Sequence, residues 1–360
     1  MQNKYFTRRK ETLLNVLLEK GLDGILITNL TSVRYLCGFT GSSASCLILP
    51  SDQIFMTDGR YQEQSRNEVR GFRRIVDNKP FHQIIVDYDL IPDNLKLAFE
   101  GDDLSVNQFR LLNKIIPNVE WELTSELVEN IAAVKDRIEL EALQAAVEIT
   151  DYVYAEILEL IKPGITEKTI ALELIKRFRQ HGDGEAYAPI VGSGPNGALP
   201  HMYPTERQFV NGDFIVIDAA AKYAGYHADM TRTPLVGNAT AKHHEIYNLV
   251  LKAQQSGCSK ATAGISCKEL DSVTRDLISA GGYGENYIHS TGHGIGLEIH
   301  TLPRVSQMSD EILHENNVIT IEPGIYLAGW GGVRIEDDVI IKSNGCEILN
   351  KTSKDLMILD

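Results

Sequence analysis

Four acidic side chains and one histidine in the second half of the chain occupy positions where strands are normally apolar or where glycine lets the backbone approach closely. A carboxylate that ends a four-residue apolar run, as at 214–218, is expected to be buried, and burying it without a partner is costly. Two of the carboxylates flank a Gly-Tyr turn, so adjacent antiparallel strands could bring them together. The histidine lies in the glycine-rich segment 290–296. The five residues are Asp218, Asp229, His293, Glu322 and Glu336.

These residue types point to a metal site with two ions. If two Asp, two Glu and one His lie in one buried site, the carboxylates repel each other unless cations neutralise them. Four carboxylates can hold two divalent ions, and two ions about 3.5–4 Å apart with a shared water form a hydrolytic centre. Oxygen ligands with one imidazole favour Mn²⁺, Co²⁺ or Zn²⁺. Taken singly, each residue has a structural interpretation as a cap or a solvated turn; the five together favour the metal site.

Over residues 126–360 the predicted strands and paired helices lie in separate blocks of the sequence, which indicates an α+β domain. These elements are expected to position the five residues. The predicted strands are 214–221, 230–236, 318–322 and 333–341, and the predicted helices are 241–261 and 268–280. A continuous helical stretch at 126–161 is expected to contain the junction with the preceding domain.

Residues 1–125 alternate short strands and helices, which predicts an α/β domain with an open sheet. The glycine-rich segment 38–43 lacks the Gly-Lys-Ser/Thr of a phosphate-binding loop, so we expect no nucleotide site there. The predicted strands are 23–28, 45–49, 53–56, 72–76, 95–99 and 119–123, and helices are predicted at 60–69 and 105–116.

The composition of the 360 residues excludes several classes of protein. A formal net charge of −14 argues against nucleic acid or an anionic membrane as the main partner. The apolar run 13–18 is too short for a signal peptide, and no run reaches the roughly 18 residues of a membrane span. Five dispersed cysteines without a Cys-x-x-Cys pair favour a reducing, cytoplasmic location.

The acidic and histidine-containing segments resemble the metal-dependent Xaa-Pro peptidases, aminopeptidase P and prolidase. The resemblance covers nearly the whole chain and implies a creatinase-like N-terminal α/β domain followed by an α+β catalytic domain of the pita-bread fold. The matching segments are 198–201, 218–233, 289–300, 320–326 and 331–338.

The resemblance implies a role for each matching residue. Asp218 would chelate one metal and His293 the other, while Asp229 and Glu336 bridge the two. Glu322 would bind a metal and also carry the proton from the water to the leaving nitrogen. The remaining implied residues line the pocket or fix the ligands; they are His201, His289, His300 and Arg334.

The implied activity is cleavage of the bond between an N-terminal residue and proline, with two divalent ions, Mn²⁺ first among them. The expected substrates are peptides with proline at the second position, and the family implies a homodimer. Segments 38–42 and 57–61 resemble aminopeptidases P, so we predict an Xaa-Pro aminopeptidase, with an Xaa-Pro dipeptidase as the alternative.

Other members of the fold remain weaker alternatives. Methionine aminopeptidase normally lacks the N-terminal domain, creatinase lacks the ligand set, and a non-catalytic binding protein would have lost it. This chain departs from many relatives at 219–221, which reads Ala-Ala-Ala, and at Thr301. Both departures leave all five ligands in place: the alanines alter the strand behind Asp218, and Thr301 affects a substrate contact or a hydrogen bond to a metal ligand.

Overall fold

A computed structural model describes residues 3–360, so residues 1 and 2 of the predicted first domain lie outside it. The chain divides into two compact units after Ala132, whereas the sequence predicted the boundary after residue 125. Within residues 3–360, no helix has the length and apolar character needed to cross a membrane.

The first unit is built on a six-stranded mixed sheet. Its strands are β1 (Gly24–Ile27), β2 (Ala44–Ile48), β3 (Gln53–Thr57), β4 (Arg73–Val76), β5 (Lys96–Glu100) and β6 (Glu120–Thr124). The strand order is β4-β3-β2-β1-β5-β6. Strand β2 is antiparallel to both of its neighbours, and the other pairs are parallel. All six strands lie within one residue of the predicted bounds because each is a short apolar run closed by turn residues.

Helices flank this sheet and bury apolar side chains such as Ile84, Ile85 and Leu112 against Leu26, Leu47 and Leu97. They are α1 (Asn3–Glu19), α2 (Leu30–Cys37), α3 (Gln62–Glu68), α4 (Phe81–Asp87) and α5 (Val106–Ile115). A 3₁₀ turn, Gly59–Tyr61, precedes α3.

The predicted helix over 126–161 is two helices, α6 (Leu127–Ala133) and α7 (Arg137–Leu158). Asp136 causes the break, because its side chain accepts hydrogen bonds from the N–H groups of Ile138 (3.0 Å) and Glu139 (3.2 Å). The Glu139 carboxylate accepts the Asp136 N–H in return (3.0 Å), which completes a capping box.

The second unit, which includes α7, packs two pairs of helices and several small sheets around the acidic residues. Its other helices are α8 (Glu167–His181), α9 (Ala241–Lys260) and α10 (Cys267–Ala280), with 3₁₀ turns at Gly194–Ala198 and Gly284–Asn286. Its strands are β7 (Gly184–Glu185), β8 (Ile190–Ser193), β9 (Ile215–Asp218), β10 (Ala221–Tyr223), β11 (Tyr226–His227), β12 (Thr231–Arg232), β13 (Leu235–Val236), β14 (Gly292–Gly294), β15 (Thr301–Val305), β16 (Val318–Ile321), β17 (Gly324–Leu327), β18 (Gly331–Arg334), β19 (Asp337–Lys342), β20 (Gly345–Ile348) and β21 (Ile358–Leu359).

The strands of this unit form several small sheets. The largest has the order β15-β14-β16-β19-β20, and the others are β12-β9-β8, β11-β10-β7, β17-β18 and β13-β21. Helices α7 and α8 pack on β8 and β9 through Val153, Phe178 and Ile217. Helices α9 and α10 bury their apolar faces against other strands, as Leu270 does against Ile319 and Ile321.

The predicted continuous strands at 230–236 and 333–341 are each interrupted. Strands β18 and β19 are separated by Ile335 and Glu336, so Glu336 does not lie inside a strand as predicted. The Glu336 N–H donates to the carbonyl of Thr231 (3.1 Å) rather than to a neighbouring strand of its own sheet. The interruption lets the chain pass from the β17-β18 hairpin into the five-stranded sheet.

The capping box at Asp136 gives a stability prediction. Asp136→Ala should lower the free energy of unfolding of the second unit by about 1 kcal/mol, because two N–H groups at the start of α7 lose their acceptor. Asp136→Asn keeps an acceptor oxygen and should retain most of that stability. Thermal or urea unfolding followed by circular dichroism measures both. Equal stabilities for Asp136→Ala and the wild type would show that the cap contributes nothing.

Candidate active site

Two antiparallel strands bring the first two carboxylates together. Asp218 ends β9 and pairs with Thr231 of β12, which places Asp229, just before β12, beside it. The Tyr187 hydroxyl forms hydrogen bonds with Oδ1 of Asp218 and with Oδ1 of Asp229, the latter at 2.5 Å. One phenol therefore lies against both carboxylates, and both Asp side chains are buried.

The remaining acidic and histidine residues complete the cluster from a second sheet. His293 lies on β14, and its Nε2 is 3.6 Å from Oδ2 of Asp229 and 3.5 Å from Oε1 of Glu322, which follows β16. Ligand atoms of Asp229, His293 and Glu336 all lie within 4.8 Å of one another. The structure therefore brings together all five residues singled out in the sequence.

The electrostatics of this cluster are those of crowded, buried acids. Burial and the neighbouring carboxylates raise the pKa values of Asp229 and Glu336 well above their usual range. Removal of the Glu322 carboxylate from bulk water raises its pKa to about 8, although Arg334 acts against the shift. Burial lowers the pKa of His293 to about 4, so this imidazole is neutral and able to act as a ligand. Carboxylates gathered around a neutral imidazole are a donor set that fits divalent cations.

Arg334 holds several of these groups in place. Its guanidinium donates to Oδ2 of Asp218 (2.5 Å), to the Tyr326 hydroxyl (2.6 Å) and to Oγ1 of Thr231 (3.0 Å). The Thr231 hydroxyl in turn donates to Oε2 of Glu336 (2.6 Å). One buried cation therefore orients two of the candidate ligands, directly and through Thr231.

Backbone contacts fix the strands that carry the acidic residues. The fully buried Arg232 donates to the carbonyl of Glu336 and to Oδ1 of Asp337 (2.7 Å). The buried Asp338 carboxylate accepts the N–H of Asp229 (2.9 Å). In isolation, 336–338 has the composition of a solvated turn, but in the structure all three residues are buried and two of them support the site.

The three predicted pocket histidines all line one cavity of about 640 Å³ that also contains the five acidic and histidine residues. His300 contacts His293 edge to face, with ring centroids 4.4 Å apart. His289 uses both ring nitrogens: Nδ1 lies 2.8 Å from the carbonyl of Ser290, to which it must donate, so Nε2 accepts from the Tyr326 hydroxyl at 2.9 Å. Burial lowers the pKa of His289 to about 3 and keeps the ring neutral.

The segment that carries His201 is held by a close approach between glycines. It follows the 3₁₀ turn Gly194–Ala198, which packs on β18. A Cβ on Gly332 would lie 2.1 Å from the carbonyl oxygen of Gly197, so any side chain there would force the segment away.

Sequence reasoning missed three hydroxyl-bearing residues of the site, Tyr187, Thr231 and Tyr326. Thr231 and Tyr326 lie in segments that matched the family, and Tyr326 follows the Glu-Pro-Gly turn by two residues, whereas Tyr187 lies before the first of these segments. A hydroxyl beside a predicted carboxylate ligand was the available signal, but tyrosine and threonine in strands are usually interpreted as β-formers.

Comparison with known proteins identifies the family. The profile of metallopeptidase family M24 matches residues 141–343, and that of the creatinase/prolidase N-terminal domain matches residues 9–134. These matches and the solved structures confirm the predicted fold class, a creatinase-type α/β domain followed by a pita-bread catalytic domain.

Similar proteins match over almost their full length. The structure of an Xaa-Pro dipeptidase from Bacillus anthracis is 40% identical, with a TM-score of 0.94, covering 98% of this chain and 100% of that one. The structure of an X-Pro aminopeptidase from Thermotoga maritima is 36% identical, with a TM-score of 0.88 and coverages of 97% and 99%. An uncharacterized peptidase from Bacillus subtilis is 38% identical over 350 residues, covering 97% of this chain and 99% of that one. On these matches, the chain belongs to metallopeptidase family M24.

Proposed function

We propose that this protein hydrolyses the peptide bond between an N-terminal residue and proline, as an Xaa-Pro aminopeptidase. The observation that carries the proposal is the convergence of four carboxylates and His293 on a cavity that His201, His289 and His300 also line. Relatives named Xaa-Pro dipeptidase and X-Pro aminopeptidase support this choice of substrate.

The groups that would hold two divalent cations are Asp218, Asp229, His293, Glu322 and Glu336. Their oxygen-rich composition favours Mn²⁺, with Co²⁺ or Zn²⁺ as alternatives. When bound, such ions polarise the scissile carbonyl and lower the pKa of water. The raised pKa values of Asp229 and Glu336 support a role for both as metal ligands, because a bound cation would relieve the repulsion that raises these pKa values.

Glu322 is the proposed proton carrier. Its carboxylate lies at the cavity wall, 3.4 Å from the Thr320 hydroxyl and close to His293. From this position the carboxylate would accept a proton from the attacking water and deliver it to the proline nitrogen. Arg334 keeps Asp218 oriented while this proton moves.

The histidines would bind the substrate and the developing oxyanion. His201 and His300 are exposed at the cavity and are placed to contact a bound peptide. His289, with both nitrogens engaged, would act by holding the Tyr326 hydroxyl. A proline at the second position offers no N–H, so a substrate-binding site need not pair that atom with a carbonyl.

One observation favours the alternative function, an Xaa-Pro dipeptidase. Arg304 is exposed, lines the same cavity and pairs with His293 across strands β14 and β15. A guanidinium at that position is suited to bind the C-terminal carboxylate of proline in an Xaa-Pro dipeptide. In a longer peptide this group of proline is the neutral carbonyl of the next peptide bond, which attracts a guanidinium more weakly.

We further propose a cytoplasmic homodimer. The five cysteines are free in the structure, which supports a reducing compartment. The dimer is an inference from the family resemblance.

The metal proposal predicts how stability depends on pH. His289 and His293 are neutral in the folded state above pH 6.5, and in the unfolded state they become neutral as the pH rises past their ordinary pKa of 6.5. A Glu322 pKa raised from 4.5 to about 8 contributes stability below pH 4.5, and that contribution is lost as the pH rises to about 8. The Tm of metal-free protein should therefore fall as the pH is raised above 6.5. Saturating Mn²⁺ should raise the Tm and remove the fall.

Differential scanning calorimetry in a chelator and in Mn²⁺ measures this effect. Glu322→Gln has no charge to gain and should show a shallower fall in chelator. A Tm that stays level in chelator, or that Mn²⁺ leaves unchanged, would count against the metal site.

The choice of substrate is tested with peptides. We expect hydrolysis of Ala-Pro-Ala and Ala-Pro in the presence of Mn²⁺, a preference for the tripeptide, and little action on Ala-Ala-Ala. Release of N-terminal alanine, followed by chromatography, measures all three rates. Equal rates on Ala-Ala-Ala and Ala-Pro-Ala would reject proline specificity.

Arg304→Ala separates the two candidate functions. If Arg304 binds the carboxylate of a dipeptide, the variant should raise KM for Ala-Pro roughly 10-fold or more, the scale of a lost charge-assisted hydrogen bond, and change KM for Ala-Pro-Ala little. A wild-type preference for Ala-Pro together with this loss would make the protein a dipeptidase.

A further inference from the structure

Helix α10 carries an ion pair directly behind the loop that leads into the site. Asp271 is fully buried, and Arg275 lies one turn further along the helix. The Arg275 Nε donates to Oδ2 of Asp271 (2.8 Å) and Nη2 donates to Oδ1 (3.0 Å). Neither residue lines the cavity.

The pair reaches from α10 to residues 287–291, which form neither helix nor strand. Arg275 donates to the carbonyl of Tyr287 (3.0 Å) and to that of His289 (2.8 Å), and its guanidinium lies 4.3 Å from the centre of the Tyr287 ring. Oδ1 of Asp271 accepts both the N–H and the hydroxyl of Thr291, each at 2.9 Å. The pair thus supplies backbone hydrogen bonds that regular secondary structure would otherwise provide.

The same short segment carries one proposed functional residue, His289, and contacts a second, Glu322. His289 accepts the hydroxyl of Tyr326, which is bonded to Arg334. The carbonyl of Thr291 accepts the N–H of Glu322 (2.8 Å). A displacement of 287–291 would therefore move His289 and Glu322 together.

We infer that Asp271 and Arg275 are a positioning pair that sets His289 and Glu322 in their reactive arrangement, an inference that rests on the proposed function. Catalytic groups displaced by about 1 Å lose on the order of 10²-fold in rate, because the reacting atoms are no longer aligned. The planar guanidinium of Arg275 has five N–H donors and so binds a carboxylate and two carbonyls at once. The compact ammonium group of a lysine, with three donors, does not match this geometry.

The test compares Arg275→Met and Arg275→Lys with a matched control, Arg177→Met. Arg177 also lies on a helix of the second unit, its side chain is 18% exposed against 17% for Arg275, and it pairs with Glu156 and Glu173 away from the cavity. For hydrolysis of Ala-Pro-Ala with Mn²⁺, Arg275→Met should lower kcat about 10- to 100-fold with little change in KM. Arg275→Lys keeps a charge beside Asp271 and should recover part of kcat, while Arg177→Met should keep the wild-type kcat.

The structural and positioning roles predict different results. If Arg275 only stabilises the fold, both Met variants lower the Tm and neither changes the kcat of folded protein, which would overturn the inference. Should Arg275→Met fail to fold, Arg275→Lys with a wild-type kcat would overturn it equally.

A second readout separates this inference from the proposed function. Absence of wild-type activity on every Xaa-Pro peptide would refute the proposed function alone. In that case the histidine ¹H–¹⁵N NMR spectrum of the zinc-loaded protein tests the positioning role. The His289 signals should shift in Arg275→Lys and keep their wild-type positions in Arg177→Met. Unshifted His289 signals in Arg275→Lys would overturn the positioning role.

Discussion

Mutual repulsion among buried carboxylates is the constraint on which the site depends. Asp218, Asp229 and Glu336 are buried within reach of one another, and Glu322 lies against the same cavity. Arg334 is bonded directly to only one of the four, Asp218. The pKa values of the other three are raised as a result of burial and crowding, and cations bound between them would remove that penalty.

Holding such groups together requires a scaffold that resists their separation. Hydrogen bonds to the main chain do much of this work: Asp338 holds the N–H of Asp229, and Arg232 holds the carbonyl of Glu336. Thr291 accepts the N–H of Glu322. Because these hydrogen bonds act on the backbone, each fixes the position from which a side chain extends and leaves its carboxylate available to bind a cation.

Much of this arrangement could be predicted from the sequence, for identifiable reasons. Apolar runs closed by turns located the six strands of the first unit, and carboxylates ending such runs marked Asp218 and Glu322. The break at Asp136 was missed because the helical pattern continues across it, and the cap became apparent only from its hydrogen bonds. The apolar residues Val333, Ile335 and Val339 predict one strand that includes Glu336, whereas the crossing between two sheets depends on tertiary contacts. The roles of Asp271 and Arg275 were likewise not predicted, because their i, i+4 spacing is that of an ordinary surface ion pair and their burial depends on tertiary contacts.

The central claim, that these carboxylates exist to hold two cations, is tested most directly by calorimetric titration of metal-free protein with Mn²⁺ at pH 7 in buffers of different ionisation enthalpy. The account predicts two ions bound per chain, with protons released on binding because carboxylates of raised pKa are partly protonated beforehand. Binding of no ion, or binding of Mn²⁺ without release of protons, would contradict it.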